Sequence, residues 1–155
     1  MFVYYDSKTG NVQRFIDKIK KERPEWEFVK ITYDMEISEK GHLVTFTTNF
    51  GETPSTTEKF LENENNRKCI ESVCSSGNMN WGTLFGKAAD NIEEKYGIPV
   101  LMKFELSGTH VQVEYFINSI ENKFLIFLST FFTPAKRVHE MLILKEIFVK
   151  EKLNL

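Results

Sequence analysis

The residues with the clearest chemical potential lie in small polar segments that each follow a short apolar run. The first segment is Ser7–Asn11 (Ser-Lys-Thr-Gly-Asn), which follows Phe2–Tyr5 and opens a helical pattern. Hydroxyl side chains and a glycine at a helix start let backbone N–H groups converge on a phosphate. An ordinary Ser/Thr/Asn helix cap has the same composition. This segment alone leaves both interpretations open.

The second segment, Thr47–Glu52, follows the apolar run His42–Phe46. Asn49 and Gly51 both tolerate positive φ, so this loop can change its backbone conformation as well as turn. Phe50 is either an exposed loop aromatic or a platform for a flat ring. The candidate binding residues here are Thr47, Thr48, Asn49, Phe50 and Gly51.

The third segment, Ser75–Gly82, reads Ser-Ser-Gly-Asn-Met-Asn-Trp-Gly. Two glycines bracket amide side chains and one indole, a combination suited to hydrogen bonding and to stacking on a heteroaromatic ring. The alternative is a tight turn whose Trp81 packs into the core. The candidate binding residues here are Ser76, Gly77, Asn78, Trp81 and Gly82.

Apolar runs and helical patterns alternate along residues 1–123 and must position these segments. The runs predict strands at 2–5, 28–31, 42–46, 70–74 and 100–106. The helical patterns lie at 12–22, 55–62, 83–96 and 111–123, with a polar connection at 63–68. This alternation predicts a parallel sheet covered on both faces, with ligands beyond the carboxyl ends of its strands. The three segments then form one flavin-sized site.

Residues 124–155 differ from the predicted domain, residues 1–123. The apolar stretch 124–132 is shorter than the ~20 residues that a membrane helix needs. An amphipathic helical pattern follows Pro134, with apolar residues at Val138, Met141, Leu142, Ile147 and Phe148. We expect a helical or poorly ordered extension; a partner-binding or membrane-surface helix is the alternative.

Composition narrows the possible functions. The formal charge is −2 and no run of Lys or Arg forms a basic stripe, which disfavours nucleic-acid binding. Cys69 and Cys74 fall in one predicted strand on opposite faces, so we expect no disulfide between them. Without a signal peptide, the chain is predicted to be cytoplasmic. The three histidines have no metal-ligand spacing, and no metal site is expected.

Four motifs together resemble the NrdI family, flavodoxin-like proteins that accompany class Ib ribonucleotide reductase. They are D-S-K-T-G-N-V-Q-R-F, T-F-T-T-N-F-G-E-T-P, S-G-N-M-N-W-G and K-F-E-L-S-G-T, and they occur within residues 1–123 in the family's order. The resemblance implies an α/β flavodoxin-like three-layer sandwich. Its sheet would have five parallel strands in the order 2-1-3-4-5.

The resemblance also implies an FMN cofactor. Its phosphate would be surrounded by Ser7, Lys8, Thr9, Gly10, Asn11 and Val12, and its ring would lie between the second and third segments. Position 12 is Val where flavodoxin phosphate loops commonly carry Thr, so backbone N–H groups and the helix dipole must hold more of the phosphate charge. A peptide flip within Asn49-Phe50-Gly51 is our candidate response to flavin reduction.

In this family, reduced FMN reacts with dioxygen, and the oxidant (superoxide or a peroxide) passes to the small subunit NrdF. There it drives assembly of the dimanganese–tyrosyl radical cofactor, so no side chain here is expected to be catalytic and the metal belongs to the partner. A flavodoxin reductase or another donor would supply electrons. The nearest alternative is an electron-transfer flavodoxin, although Glu52 is the only carboxylate in the three segments. A signalling receiver domain is the other, but Thr47-Thr48 occupies its phosphoacceptor position.

Overall fold

Five parallel strands form the centre of the part of the chain that the structure describes. This computed structural model describes the backbone of residues 1–131 and the side-chain surroundings of residues 1–122. The strands are β1 (Phe2–Tyr5), β2 (Glu27–Lys30), β3 (Gly41–Phe46), β4 (Ile70–Gly77) and β5 (Val100–Glu105). They pair in the order β2-β1-β3-β4-β5, and every pairing is parallel. The predicted fold class and strand order are confirmed.

Helices separate consecutive strands except β2 and β3, which follow one another without a helix between them. They are α1 (Asn11–Glu22), α2 (Ser55–Glu62), α3 (Glu64–Cys69), α4 (Lys87–Tyr96) and α5 (His110–Phe131), with a 3₁₀ helix at Met79–Leu84. The buried residues of α1 are Val12, Phe15, Ile16 and Ile19, the positions that carry its helical spacing. None of the helices within residues 1–131 has the length and apolar content to cross a membrane.

Aromatic and aliphatic side chains pack against both faces of the sheet. On one face, Tyr4 and Leu43 of the sheet belong to a buried cluster with Phe60 of α2 and Ile92 of α4. A second group joins α1, β5 and α5: the rings of Phe15 and Phe104 stack with centroids 3.9 Å apart. Phe116 meets Phe15 edge-on at 5.7 Å. This gives the three layers, and residues 1–117 form one compact unit.

The prediction of a polar connection at residues 63–68 was wrong, because this segment contains α3. The side chain of Asn63 caps this helix by accepting the Asn65 N–H at 2.9 Å. Asn66 is fully buried and donates to the carbonyls of Met35 and Phe60 at 2.8 and 2.9 Å. A helix held by amide side chains shows no apolar periodicity, so its sequence pattern is that of a loop.

Several predicted boundaries also need correction. The helix predicted at 83–96 begins only at Lys87, after the 3₁₀ helix and Gly86 in the left-handed conformation. Strand β4 extends to Gly77, so the third segment begins inside a strand. Cys69 ends α3 rather than lying in a strand, and no disulfide joins it to Cys74.

The end of the predicted domain falls inside a helix, because α5 continues from His110 through Phe131, past residue 123. The extension predicted at 124–155 is therefore described only to residue 131. The amphipathic pattern after Pro134 lies outside the described residues.

Gly108 shows how tightly the segment after β5 is packed. Gly108 and Gly97 both have φ +69°, but a Cβ on Gly108 would overlap the ring of Phe15, whereas a Cβ on Gly97 would meet nothing within 4 Å. We expect Gly97→Ala to cost about 1 kcal/mol through backbone strain alone. Gly108→Ala should cost a further ~1–3 kcal/mol from overpacking. Urea unfolding of both variants checks this, and equal losses would refute the packing explanation.

Candidate cofactor-binding site

A cleft of about 320 Å³ opens at the carboxyl ends of β1, β3 and β4. Its volume lies within the roughly 300–1,000 Å³ typical of small-molecule and cofactor sites. β2 and β3 lie on opposite sides of β1, so this edge is the point at which the strand order reverses. The cleft is lined by Ser7, Lys8, Thr9, Asn11, Val12, Phe46, Thr47, Thr48, Asn49, Ser76, Gly77, Asn78, Trp81 and Leu106.

The structure therefore brings residues of all three predicted segments together. The predicted residues that do not line the cleft are Gly10, Phe50, Gly51 and Gly82. Sequence reasoning missed Phe46 and Leu106, which do line it. The apolar run 42–46 predicts Phe46 only as a strand residue. Leu106 is predicted to end a strand, but it follows β5 and turns the backbone with φ +47°. The K-F-E-L motif was the available signal for Leu106.

The first segment places the start of α1 at the cleft. Gly10 precedes the helix with φ +84°, a conformation that favours glycine, and offers no side-chain cap. Ser7 instead caps this helix from outside, since its Oγ accepts the Gln13 N–H at 3.1 Å. The first N–H groups of a helix have no partner within it. Those of Asn11 and Val12 are therefore suited to an anionic ligand.

The second segment forms a small closed hairpin. Thr48 and Glu52 exchange two backbone hydrogen bonds of 2.9 Å, which leaves Asn49-Phe50-Gly51 at the tip. Asn49 and Gly51 have φ +47° and +96°. Phe50 is 92% exposed. The hairpin tip therefore combines two left-handed residues with a solvent-exposed aromatic ring.

One side chain of α4 anchors this hairpin. Asn91 Nδ2 donates to the Gly51 carbonyl at 2.9 Å. This bond holds the carbonyl at one end of the tip, whereas no comparable side-chain bond reaches the carbonyls of Asn49 or Phe50 among the contacts of residues 1–122. The Asn49–Phe50 and Phe50–Gly51 peptide groups therefore have more freedom to rotate than the peptide group whose carbonyl belongs to Gly51.

The third segment is a strand end followed by a kinked 3₁₀ helix. Asn78 caps this helix by accepting the Asn80 N–H at 2.9 Å, and Gly82 interrupts it with φ +54°. Trp81 is 40% exposed and lines the cleft, which excludes the alternative that it packs into the core. Glu105 fixes the segment from β5 by accepting the Met79 N–H at 2.7 Å.

The cleft carries little charge. Among its described lining residues, Lys8 alone is charged. Glu52, the one carboxylate of the three segments, accepts from Asn49 Nδ2 at 2.6 Å and does not line the cleft. No group of His, Cys, Asp or Glu within the described residues is arranged to hold a metal ion. The site therefore suits an anionic group near Lys8 and an apolar, aromatic group near Phe46, Trp81 and Leu106.

A larger cleft, of about 650 Å³, lies beside the first. The two share Ser7, Lys8, Phe46, Thr48 and Asn49, so the hairpin forms part of both walls. The larger cleft carries charges of both signs, including Lys30, Glu52 and Glu58, and lacks the third segment. The smaller cleft is the one that combines the start of α1 with Trp81.

Asp6 is a buried carboxylate at the base of the first segment. It directly follows β1 and is 6% exposed. Burial raises the pKa of its carboxyl, partly offset by hydrogen bonds from Thr57 and by the charge of Lys30. Desolvation thus disfavours the charged form of a residue that directly precedes Ser7.

Comparisons with known proteins show which family and which fold the chain is similar to. A sequence model of the family described as NrdI flavodoxin-like matches residues 3–118. A second sequence model, for a domain of unknown function (DUF8090), matches residues 90–155 and assigns no activity. Protein NrdI of Bacillus licheniformis is 45% identical over 119 residues, covering 77% of this chain and 86% of the relative. The SPbeta prophage-derived protein NrdI of Bacillus subtilis is 38% identical over 117 residues, covering 76% and 88%.

A solved structure supports the fold. The short-chain flavodoxin associated with a non-canonical PDU bacterial microcompartment superposes with a TM-score of 0.59 at 15% identity. The match covers 77% of this chain and 93% of that one. Such low identity bears on the fold alone. Family and fold together imply a flavin cofactor.

We predict that Asn91→Asp loosens the hairpin, because the replacement has the same shape but no N–H to donate to the Gly51 carbonyl. The loss of one hydrogen bond, about 0.5–1.5 kcal/mol, should speed amide exchange at Thr48 and Glu52 roughly 2- to 10-fold. Hydrogen exchange measures this, with the exposed Asn65→Asp as the matched control. Unchanged exchange at both amides would show that Asn91 is not the anchor.

A raised pKa for Asp6 predicts a pH-dependent effect of Asp6→Asn. The native protein binds this proton more tightly than the unfolded chain does. The contribution of Asp6 to the free energy of unfolding of the wild type therefore decreases as the pH rises from about 3.9, the usual pKa of Asp, through the raised pKa of Asp6. Asn does not titrate. The free energy of unfolding of Asp6→Asn should therefore rise relative to wild type over this window and level off above it. Urea unfolding at a series of pH values is the test, and a constant difference would contradict it.

Proposed function

Because the chain belongs to the NrdI flavodoxin-like family, we propose that it binds FMN in the cleft at the ends of β1, β3 and β4. The donor set of the cleft fits this cofactor. One end offers helix N–H groups, hydroxyls and a cation, and the other offers aromatic and aliphatic surface. This division matches a molecule with a charged phosphate and a flat, largely apolar ring.

The phosphate would be held by the first segment. The N–H groups that open α1, the hydroxyl of Thr9 and the ammonium group of Lys8 are its candidate donors. The positive end of the α1 dipole adds to them, equivalent to roughly half an elementary charge. Val12 lines the site without a hydroxyl, so the backbone must supply a larger share of the binding.

The ring would lie between the hairpin of the second segment and Trp81 of the third. Aromatic stacking on Trp81 and contact with Phe46 and Leu106 would hold it, while Thr47–Gly51, Ser76–Asn78 and Gly82 supply the surrounding backbone. The rotatable peptides next to Asn49 and Phe50 are the candidates for offering a carbonyl to the protonated N5 of the reduced ring.

FMN held by these residues would supply the redox chemistry, accepting electrons from a flavodoxin reductase or another donor and passing them to dioxygen. We infer that the resulting oxidant serves to assemble the dimanganese–tyrosyl radical cofactor of NrdF, the small subunit of class Ib ribonucleotide reductase. The observation that carries this proposal is that no carboxylate is present among the described residues that line the cleft. With Lys8 and no carboxylate in the described wall, an anionic reduced flavin meets little repulsion.

An electron-transfer flavodoxin serving another redox partner is the alternative function, since the cleft would hold FMN in the same way. A receiver domain is disfavoured by the end of β3. The phosphoacceptor position there is occupied by Thr47, which has no carboxylate. Thr47 is buried, and its Oγ1 accepts the Ala88 N–H at 3.1 Å.

Trp81→Ala should weaken FMN binding by roughly 2- to 10-fold, the loss expected from about 0.5–1.5 kcal/mol of aromatic stacking. Titration of the apoprotein with FMN, followed by flavin absorbance, measures the dissociation constant. Tyr115→Ala is the control, because Tyr115 is an exposed aromatic that does not line the cleft. Equal affinities for the three proteins would place the ring elsewhere.

The activator role predicts a tyrosyl radical in a manganese-loaded cognate NrdF when the reduced FMN protein and dioxygen are added. Electron paramagnetic resonance measures the radical, and the same mixture without this protein is the control. A protein that binds FMN but produces no radical above the control would support the electron-transfer alternative. A protein that binds no FMN would refute both.

A further inference from the structure

A buried chain of hydrogen bonds begins at Asp6, immediately before the first segment. The Asp6 carboxylate accepts the Thr57 hydroxyl proton at 2.9 Å. Against the larger effect of burial, the nearby backbone of Thr57 and Ser7 lowers the pKa of this carboxyl. Asp6 and Thr57 are buried, and neither lines the cleft. These contacts therefore act on the site only through other residues.

Asp6 holds the first turn of α2 from a distant part of the sequence. The residue before this helix is Pro54, which provides no side-chain hydrogen bond to its first turn. Thr57 belongs to that turn, and its hydroxyl donates to Asp6, 51 positions earlier. The start of α2 and the end of β1 are thus fixed to each other.

Thr45 of β3 extends this chain of hydrogen bonds and determines which hydroxyl donates in each of them. Its Oγ1 lies 2.7 Å from the Thr57 Oγ1, and both residues are fully buried. A hydroxyl carries one proton, and that of Thr57 goes to Asp6. Thr45 must therefore donate to Thr57. Because a buried polar atom without a partner is costly, this arrangement resists rotation of either hydroxyl.

At its other end, this chain of contacts reaches the start of α1, where the phosphate is proposed to bind. Ser7 follows Asp6 directly in the sequence, and its Oγ accepts the Gln13 N–H in the first turn of α1. One residue thereby links the buried carboxylate to the helix start, where Asn11 and Val12 line the cleft. The orientation of Ser7 depends on its peptide bond to Asp6 and on the hydrogen bond to Gln13.

We infer that Asp6 and Thr57 are positioning residues for the phosphate subsite, holding Ser7 so that its hydroxyl and the first N–H groups of α1 converge on one anion. This inference rests on the proposed binding of FMN. It assigns the Asp6–Thr57 hydrogen bonds no role in holding the ring, which would lie between the second and third segments. Disrupting the chain should thus weaken FMN but not riboflavin, which lacks the phosphate.

The direct test compares Thr57→Val with Thr57→Ser. Valine matches threonine in shape but has no hydroxyl, and serine restores the hydroxyl. We expect Thr57→Val to weaken FMN binding by about tenfold, as for one hydrogen bond to a charged group, and to change riboflavin binding by less than about twofold. Thr57→Ser should bind both ligands nearly as wild type does.

A double-mutant cycle with Ser7→Ala tests whether Thr57 acts through Ser7. If it does, the double variant should lose no more FMN affinity than Ser7→Ala alone, whereas independent effects would multiply. Ile92→Val, a conservative change in the core away from the cleft, controls for a modest general loss of stability. It should leave the ratio of FMN to riboflavin affinity unchanged.

The outcomes distinguish failure of the positioning role from failure of the proposed FMN binding. If the wild-type protein binds FMN but Thr57→Val leaves the FMN to riboflavin ratio unchanged, or the cycle is additive, the positioning role is refuted and the FMN site stands. If the wild-type protein binds neither ligand, the proposed function fails and the inference fails with it. A selective, non-additive loss of FMN affinity supports both.

Discussion

The candidate site depends on the parallel pairing of β1, β3 and β4, which ends three strands at one edge of the sheet. Backbone hydrogen bonds continue this pairing past the strands. Thr47 N–H donates to the Ser76 carbonyl at 2.8 Å, and Leu106 N–H donates to that of Gly77 at 2.9 Å. Because the order reverses at β1, the loops leaving these strands turn away from one another and leave a cleft between them. Loop composition then determines what can bind there.

Binding groups in this cleft come largely from backbone, and side chains mostly hold that backbone in place. Gly10 lets the chain enter α1 in a left-handed conformation, and Asn91 and Glu105 hold the second and third segments from outside the cleft. A site built in this way suits a redox cofactor, because the protein needs to bind, orient and shield a group that already carries the chemistry. Among the described residues that line the cleft, Lys8 is the only ionisable side chain.

Local patterns were sufficient to predict most of the fold. Apolar runs located the five strands, the spacing of Val12, Phe15, Ile16 and Ile19 located α1, and the loop motifs identified most of the residues that line the cleft. The misses share a cause. Helix α3 and the Asp6–Thr57 contact depend on polar side chains whose partners are distant in sequence, and the turn at Leu106 brings a predicted strand residue into the cleft. Such contacts leave no periodic signal.

We propose that FMN occupies the smaller of two neighbouring clefts, with its phosphate at the start of α1. A crystal structure of the FMN-reconstituted protein tests this most directly. We predict phosphate density within hydrogen-bonding distance of the Asn11 and Val12 N–H groups, and ring density between the Thr48–Glu52 hairpin and Trp81. Flavin density in the larger cleft, beside Lys30 and Tyr33, would contradict the account.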